Sequence, residues 1–157
     1  MKDKALIGAA GEHLVLSRLL SRGFLAAPAP RGTRKVDILV NFIDGGNPIL
    51  VQVKSTLNTP RTGWPLGAKH EQLEDEDLFF CFVTLSSAHP VVYVVPSEIV
   101  ARHCRLSHQL WLDTPGKKGV VHNDSNMRRI TNRDQNYGPK EGWMDPFLEA
   151  WEQLGRP

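Results

Sequence analysis

The stretch VDILVNFIDGGNPILVQVKS, residues 36–55, constrains the fold more than any other part of this chain. Two short apolar runs, Val36 to Ile43 and Pro48 to Ser55, flank Asp44-Gly45-Gly46-Asn47, and a link that short and glycine-rich predicts a β-hairpin. Alternate residues of a strand share a face. Asp37 therefore shares a face with Leu39, against Val36, Ile38 and Val40. On the return strand Leu50, Gln52 and Lys54 share one face, and Ile49, Val51 and Val53 the other. A turn made of residues 44–47 pairs Ile43 with Pro48, and that register sets Asp37 opposite Lys54 and Gln52 opposite Leu39. An acid, an amide and an ammonium then converge on one side of an otherwise apolar hairpin. Buried charge is costly without partners, and a cross-strand Asp37–Lys54 ion pair near the sheet edge accounts for the pattern equally well.

The elements around the hairpin follow from periodicity. Ala5, Ala9, Glu12, Leu16 and Leu19 recur at steps of four and three, which predicts a helix from about Lys4 to Gly23, with Gly23 as its C-cap after Arg22. Gly8 and Gly11 weaken such a helix by about 1 kcal/mol each relative to Ala, so close packing against another element is expected there. Glu12 falls within the apolar stripe, where a carboxylate is normally avoided; it reads either as a contributor to the polar cluster or as an acid favoured by the helix dipole and tilted to water. Phe24 to Ala27 is a short strand, ended by Pro28 and Pro30. Residues 56–67 read as a loop and Lys69 to Asp75 as a short acidic helix. Leu78 to Leu85 and Val91 to Val95 are strands, and a helix capped by Ser97 runs to about His108. Beyond Asp113 the chain is rich in Gly, Asn and Arg, with short strands at GVVH and MRRIT and a last amphipathic helix over Asp145 to Leu154. The order is helix, three strands, short helix, two strands, helix, tail: an α/β layer around one sheet in a single domain, with a core over residues 4–108 and a C-terminal extension over 109–157.

With these residues in place, the run GEHLVLSRLLSRGF, then VDILV, a Gly-rich turn and ILVQVKS, resembles the PD-(D/E)xK nuclease superfamily. The likeness is strongest to Mrr-type restriction enzymes and related phage and repair nucleases, in which QxK can replace ExK, and it covers about residues 4–108. The resemblance implies a restriction-endonuclease-like αβββαβ core with a mixed central sheet flanked by helices. It also implies a catalytic set of Asp37, Gln52, Lys54 and Glu12, and Mg²⁺ or Mn²⁺ held by Asp37, Gln52, the main-chain carbonyl of Val53 and Glu12. Two departures stand out: Lys35 and Val36, not a proline, precede Asp37, and Gln52 replaces the commoner acid.

The chemistry fits that set. Phosphodiester hydrolysis needs an activated water and stabilisation of charge on phosphorus, and Mg²⁺ takes hard oxygen ligands. In the set the resemblance implies, Asp37 would supply an anionic ligand and Gln52 a neutral one, Lys54 would orient the water or steady the developing charge, and Glu12 would hold a second ion or a metal-bound water. With Gln52 neutral, the first ligands carry one negative charge fewer than in an ExK site. DNA is the implied substrate, with RNA left open, and a homodimer is the implied assembly, since two sites cut two strands most simply. Arg31, Arg34 and Lys35 flank Asp37 and are the expected phosphate contacts, with Lys117, Lys118, Arg128, Arg129 and Arg133 a second basic group; either group also reads as ordinary solvated surface. The acidic run from Glu71 to Asp77 should face away. The alternative reading is a catalytically inactive binding protein that keeps the fold, such as a nuclease or toxin partner.

Composition narrows the remaining classes. A formal charge of +2 and a sequence pI near 8.6 permit a nucleic-acid partner without demanding one. Cys81 and Cys104 form no CxxC pair or disulfide framework, and no stretch reads as a signal peptide or a membrane span, so a cytoplasmic protein is expected. Cys104 and His108, four apart, lack a second matching pair for zinc, and no P-loop or nucleophile elbow is present.

Overall fold

The computed structural model describes residues 3–33, 35–58, 62–86, 88–132 and 142–155. Helix α1 spans Lys4–Ser21. The side chain of Asp3 caps its first turn by accepting from Ala5 N at 2.8 Å. Gly23, at φ +87°, ends it as expected, and the N–H groups of Gly23 and Phe24 close onto the carbonyls of Leu20 and Leu19. Strands β1 (Leu25–Pro28), β2 (Ile38–Asn41) and β3 (Ile49–Thr56) follow, then β4 (Trp64–Gly67), a 3-10 turn at Ala68–Gln72, β5 (Leu78–Thr84), β6 (Val91–Pro96), helix α2 (Ser97–Asp113) and β7 (Met127–Ile130).

The strands form a five-stranded mixed sheet in the order β1-β2-β3-β5-β6, and β4 pairs with β7 in a second, two-stranded sheet. All neighbours in the main sheet are antiparallel except β3 and β5. The parallel crossover between those two carries only β4 and the 3-10 turn, while the second helix comes after β6. Every residue of β5 is buried, as a central strand covered on both faces must be.

Two hydrophobic clusters lie on opposite faces of the sheet. Val15 and Leu19 of α1 meet Ile38, Val40, Val51, Val53, Cys81 and Val94 on one side. Phe80, Phe82 and Tyr93 meet Val100 and Cys104 of α2, with Trp64, Leu66 and Ile130 of the small sheet, on the other.

Several sequence expectations are corrected. The buried stripe of α1 is Gly11, Val15 and Leu19, so Glu12 stands at its flank and not within it. Gly11 does touch the sheet: a Cβ there would lie 1.7 Å from Ser55 Oγ, whereas nothing stands within 4 Å of one at Gly8. The hairpin register runs Ile38↔Val51, Leu39↔Leu50 and Val40↔Ile49, two residues from the expected pairing. Pro48 cannot donate to a ladder, so pairing begins at Ile49 and the connection is longer than four residues. A slip of two preserves the face of every side chain.

The stretch read as a loop contains β4, made a strand by its partner β7. The GVVH segment is not a strand. Ser97 is not the N-cap of α2; that position is Pro96, and the buried Ser97 hydroxyl is tied to the backbone N–H and carbonyl of Asp75. The helix continues past His108, its last turns held by His108 on Asp124 and by Trp111 stacked on His122.

The single final helix is also replaced. Residues 145–154 form two 3-10 turns, Asp145–Phe147 and Trp151–Leu154, split where Leu148 bridges to Tyr93 and Glu149 adopts φ +51°. Glu149 is held there by Arg18, by Val92 N–H at 2.9 Å and by Trp151 Nε1 at 2.8 Å. Trp151 and Leu154 complete the α1-side cluster, and Met144 the other. Among the described residues no helix is long and apolar enough to cross a membrane.

The two glycines of α1 give opposite expectations. Gly11→Ala should destabilise by about 1–3 kcal/mol through overpacking against Ser55, and Gly8→Ala should stabilise by about 0.5–1 kcal/mol through helix propensity. Urea unfolding of the two variants checks both signs.

Candidate active site

Asp37 marks the point where β2 leaves the ladder. One step beyond Ile38↔Val51 brings it level with Gln52, but the regular pairing ends there. Its N–H donates to the Val51 carbonyl at 2.8 Å, and its own carbonyl accepts from Ala29 at 2.8 Å. Its side chain replaces a main-chain acceptor: Oδ2 takes the N–H of Val53 at 2.7 Å. The carboxylate is thereby fixed at the rim of the sheet with its other oxygen left for further contacts. Just before it, residues 30–33 make a tight turn closed by Thr33 on Pro30, with Gly32 at φ +87°.

Gln52 and Lys54 point to the α2 side of the sheet. Gln52 is buried beside Phe80, its register partner on β5, and its Oε1 has no hydrogen-bond partner. Lys54 is half-buried beside Phe82, against which Trp64 packs at 5.2 Å between centroids. Burial holds the Lys54 ammonium below its ordinary pKa; Asp37 and Glu12 act against that lowering, and Lys69 adds to it. Glu12 is raised, first by burial and then by Asp37, with His13 and Lys54 opposing. Glu12, on the flank of α1, thus senses both Asp37 and Lys54. Three of the four predicted side chains, Asp37 and Lys54 from the hairpin and Glu12 from the helix on the other face, act on one another electrostatically, and Gln52 is level with Asp37 in the hairpin register.

The expected phosphate contacts divide. Arg31 and Lys35 are exposed in the loop leading to Asp37, Lys35 at φ +69°; Arg34 lies outside the described residues, as does Arg133. Lys117 and Lys118 are exposed. Arg128 is neither solvated surface nor a phosphate contact. It is buried, pairs with Glu71 and donates to the carbonyls of Ser125 and Met127. Arg129 donates to the Thr62 carbonyl at 2.9 Å. Part of the acidic run is spent in the same packing, since Glu74 pairs with Arg105 of α2 at 2.6 Å.

Two residues of this neighbourhood escape a sequence reading. Lys69 acts on Lys54, and His70 is lowered in pKa, chiefly by burial and further by Lys54, Lys69 and Lys35. Both sit in the 3-10 turn of the crossover, 15 and 16 residues from Lys54, where no spacing rule links them to the hairpin. The only signal was the basic pair Lys69-His70 just before the acidic run.

The donor set can be tested against a hard cation. Among the described residues no three His, Cys, Asp or Glu side chains cluster so as to hold a metal. The oxygens here are of another mix: the Asp37 carboxylate, an unpaired amide oxygen on the buried Gln52, and the Val53 main chain, with Glu12 nearby. An orphaned carbonyl-type oxygen on the residue level with a fixed carboxylate suits Mg²⁺ or Mn²⁺, which accept neutral oxygen ligands and keep several waters. The residues fit the ion.

A mixed sheet flanked by helices, with this hairpin at its rim, is a restriction-endonuclease-like fold. Solved structures similar to the chain include two nucleases. One is the bacterial homing endonuclease I-Ssp6803I, with a TM-score of 0.58 at 17% identity over 98% of this chain and 92% of that one. The other is the Holliday junction resolvase Hjc of Archaeoglobus fulgidus, with a TM-score of 0.53 at 17% identity over 96% and 97%. No protein-family model matches the sequence, and no curated protein matches it. Identity of this order speaks for the fold, and the site rests on the chain's own geometry.

Because Glu12 is raised, the native state holds its proton more tightly than the unfolded chain does. Stability from this group is full below the ordinary glutamate value and is lost as pH rises through the raised one. Without divalent ions, Glu12→Gln should melt about 1–2 °C above the wild type near pH 7–8, with the gap closing by about pH 4. Thermal melts across that range read the difference.

Proposed function

We propose that the protein is a metal-dependent nuclease that hydrolyses phosphodiester bonds in DNA. The observation that carries this reading is Asp37, whose carboxylate is fixed by the Val53 N–H while Lys54 and Glu12 share its electrostatic surroundings. The fold supports it, since the similar structures are a homing endonuclease and a Holliday junction resolvase.

Asp37, Gln52 and the Val53 carbonyl would hold Mg²⁺ or Mn²⁺, and Glu12 stands close enough in charge to add to them. The bound ion supplies Lewis-acid stabilisation of the phosphate and a lowered pKa for water. Lys54 places a cation against the developing charge on phosphorus, and its partial burial makes that interaction stronger than in bulk water. Glu12 holds a proton more readily than an ordinary glutamate, and Asp37 is oriented by its hydrogen bond in advance of substrate. Arg31 and Lys35 border the loop beside Asp37 and are placed to meet backbone phosphates, with Arg34 between them in sequence. The buried free thiols of Cys81 and Cys104 suit a cytoplasmic protein, and a homodimer would cut both strands of a duplex.

Incubating purified protein with supercoiled, linear and four-way-junction DNA in Mg²⁺ or Mn²⁺ tests the proposal. Cleavage is expected, reduced about 100-fold or more by Asp37→Asn and by Lys54→Ala. Inert wild type, or Lys54→Ala as active as wild type, would overturn the hydrolytic reading in favour of a fold kept for binding.

A further inference from the structure

Three buried polar atoms beside the candidate site lack hydrogen-bond partners: Ser55 Oγ on the α1 face, and Gln52 Oε1 and His70 Nε2. Gln52 is 8% exposed and His70 4%. Both residues border one aromatic ring. Phe80 is the register partner of Gln52, and the His70 imidazole meets the Phe80 ring near edge-on, with centroids 5.8 Å apart. Leaving such atoms unpaired costs free energy that a partner would recover.

The other imidazole nitrogen limits what His70 can do. Nδ1 lies 2.9 Å from the Gly67 carbonyl oxygen and 3.1 Å from the Gly67 nitrogen. One neutral tautomer can use only one of these. With its proton on Nδ1, His70 donates to the Gly67 carbonyl, and Nε2 becomes a bare acceptor. Burial and the lysines Lys54, Lys69 and Lys35 all favour the neutral ring. Gln52 carries an acceptor at one end of its amide and a donor at the other, and a half-turn about its last torsion exchanges them without altering its shape.

We propose that His70 is a positioning residue for Gln52, its Nε2 accepting a hydrogen bond from the Gln52 amide nitrogen so that the amide oxygen turns toward Asp37. The line then runs from the Gly67 carbonyl through the imidazole and the amide to the ion pocket. The orphaned imidazole nitrogen is satisfied, and the orphaned amide oxygen is left to be satisfied by the ion, so that a neutral side chain is held as an oxygen ligand. A partner that orients a ligand in this way is typically worth about 10–100-fold in metal affinity. The inference rests on the metal-dependent reading above, and its test separates the two.

The first readout is the ¹⁵N shift of His70, assigned among the six histidines by its loss in His70→Gln. In metal-free wild type Nε2 should be unprotonated and Nδ1 protonated. Gln52→Leu should move the Nε2 signal. Gln52→Glu should put a proton on Nε2, because the new carboxylate offers acceptors only. The second readout is Mn²⁺ affinity by titration calorimetry on variants that thermal melts show to be folded. His70→Leu should weaken the Asp37-dependent binding about 10–100-fold, and His70→Gln, which keeps an acceptor oxygen, should recover most of it. An Nε2 signal indifferent to both Gln52 substitutions overturns the pairing whatever the metal does. Asp37-dependent Mn²⁺ binding that is undiminished in His70→Leu overturns the positioning role and leaves the nuclease reading intact. Absence of Asp37-dependent Mn²⁺ binding, with the Nε2 shifts as described, upholds the pair and removes the metal-dependent reading.

Discussion

The hydrogen bond from Val53 N–H to the Asp37 carboxylate is the interaction on which the rest of the site depends. A ladder that continued regularly past Ile38 would satisfy the Val53 N–H with a main-chain carbonyl and leave Asp37 free to swing. Instead the side chain takes the carbonyl's place. The exchange ends β2, frees the preceding loop with its basic residues from sheet pairing, and fixes an anionic oxygen at the rim before any ligand arrives. A charge-assisted bond of this kind is stronger than the neutral one it replaces, so the break in the sheet is not paid for by a loss of pairing.

Burial on both faces makes that rim rigid. The main sheet is covered by α1 on one side and by α2 with the β4–β7 pair on the other, and the strand next to β3 is wholly enclosed. Glu12 comes to the rim from one side and Lys54 from the other, so the spacing of these charges is set by how closely α1 approaches the sheet. Gly11 against Ser55 fixes that distance. The C-terminal segment contributes in the same way: Glu149, taking bonds from Arg18, Val92 and Trp151, ties the end of the chain to α1 and β6.

Much of this was legible in the sequence because the period of a strand is two. The alternation in VDILV and ILVQVKS put Gln52 and Lys54 on one face, and Asp37 joins them in the expected register and in any slipped from it by an even number, so a register wrong by two residues left the face intact. Capping chemistry marked the C-terminal end of α1 for the same local reason. What stayed hidden depends on pairs far apart in the chain. Strand β4 exists because β7 lies beside it, 60 or more residues away; the final helix is broken by a bridge to Tyr93; Arg128 is buried because Glu71 waits for it. The position of His70 against Phe80 belongs to this second kind.

The buried amide in the QxK pattern follows from the same electrostatics. Gln52 is enclosed beside Phe80, level with Asp37, and Glu12 is already raised by burial and by Asp37. An acid at position 52 would be a third carboxylate in a desolvated space shared with two others. It would either take up a proton or push Glu12 further from its ordinary range. An amide avoids both outcomes while still presenting an oxygen. The cost is weaker attraction for a cation, and what offsets it must be geometric, since the negative charge is not there. A pocket of this composition depends on how firmly its neutral ligand is aimed, whereas an acid at the same position would draw an ion from a wider range of orientations.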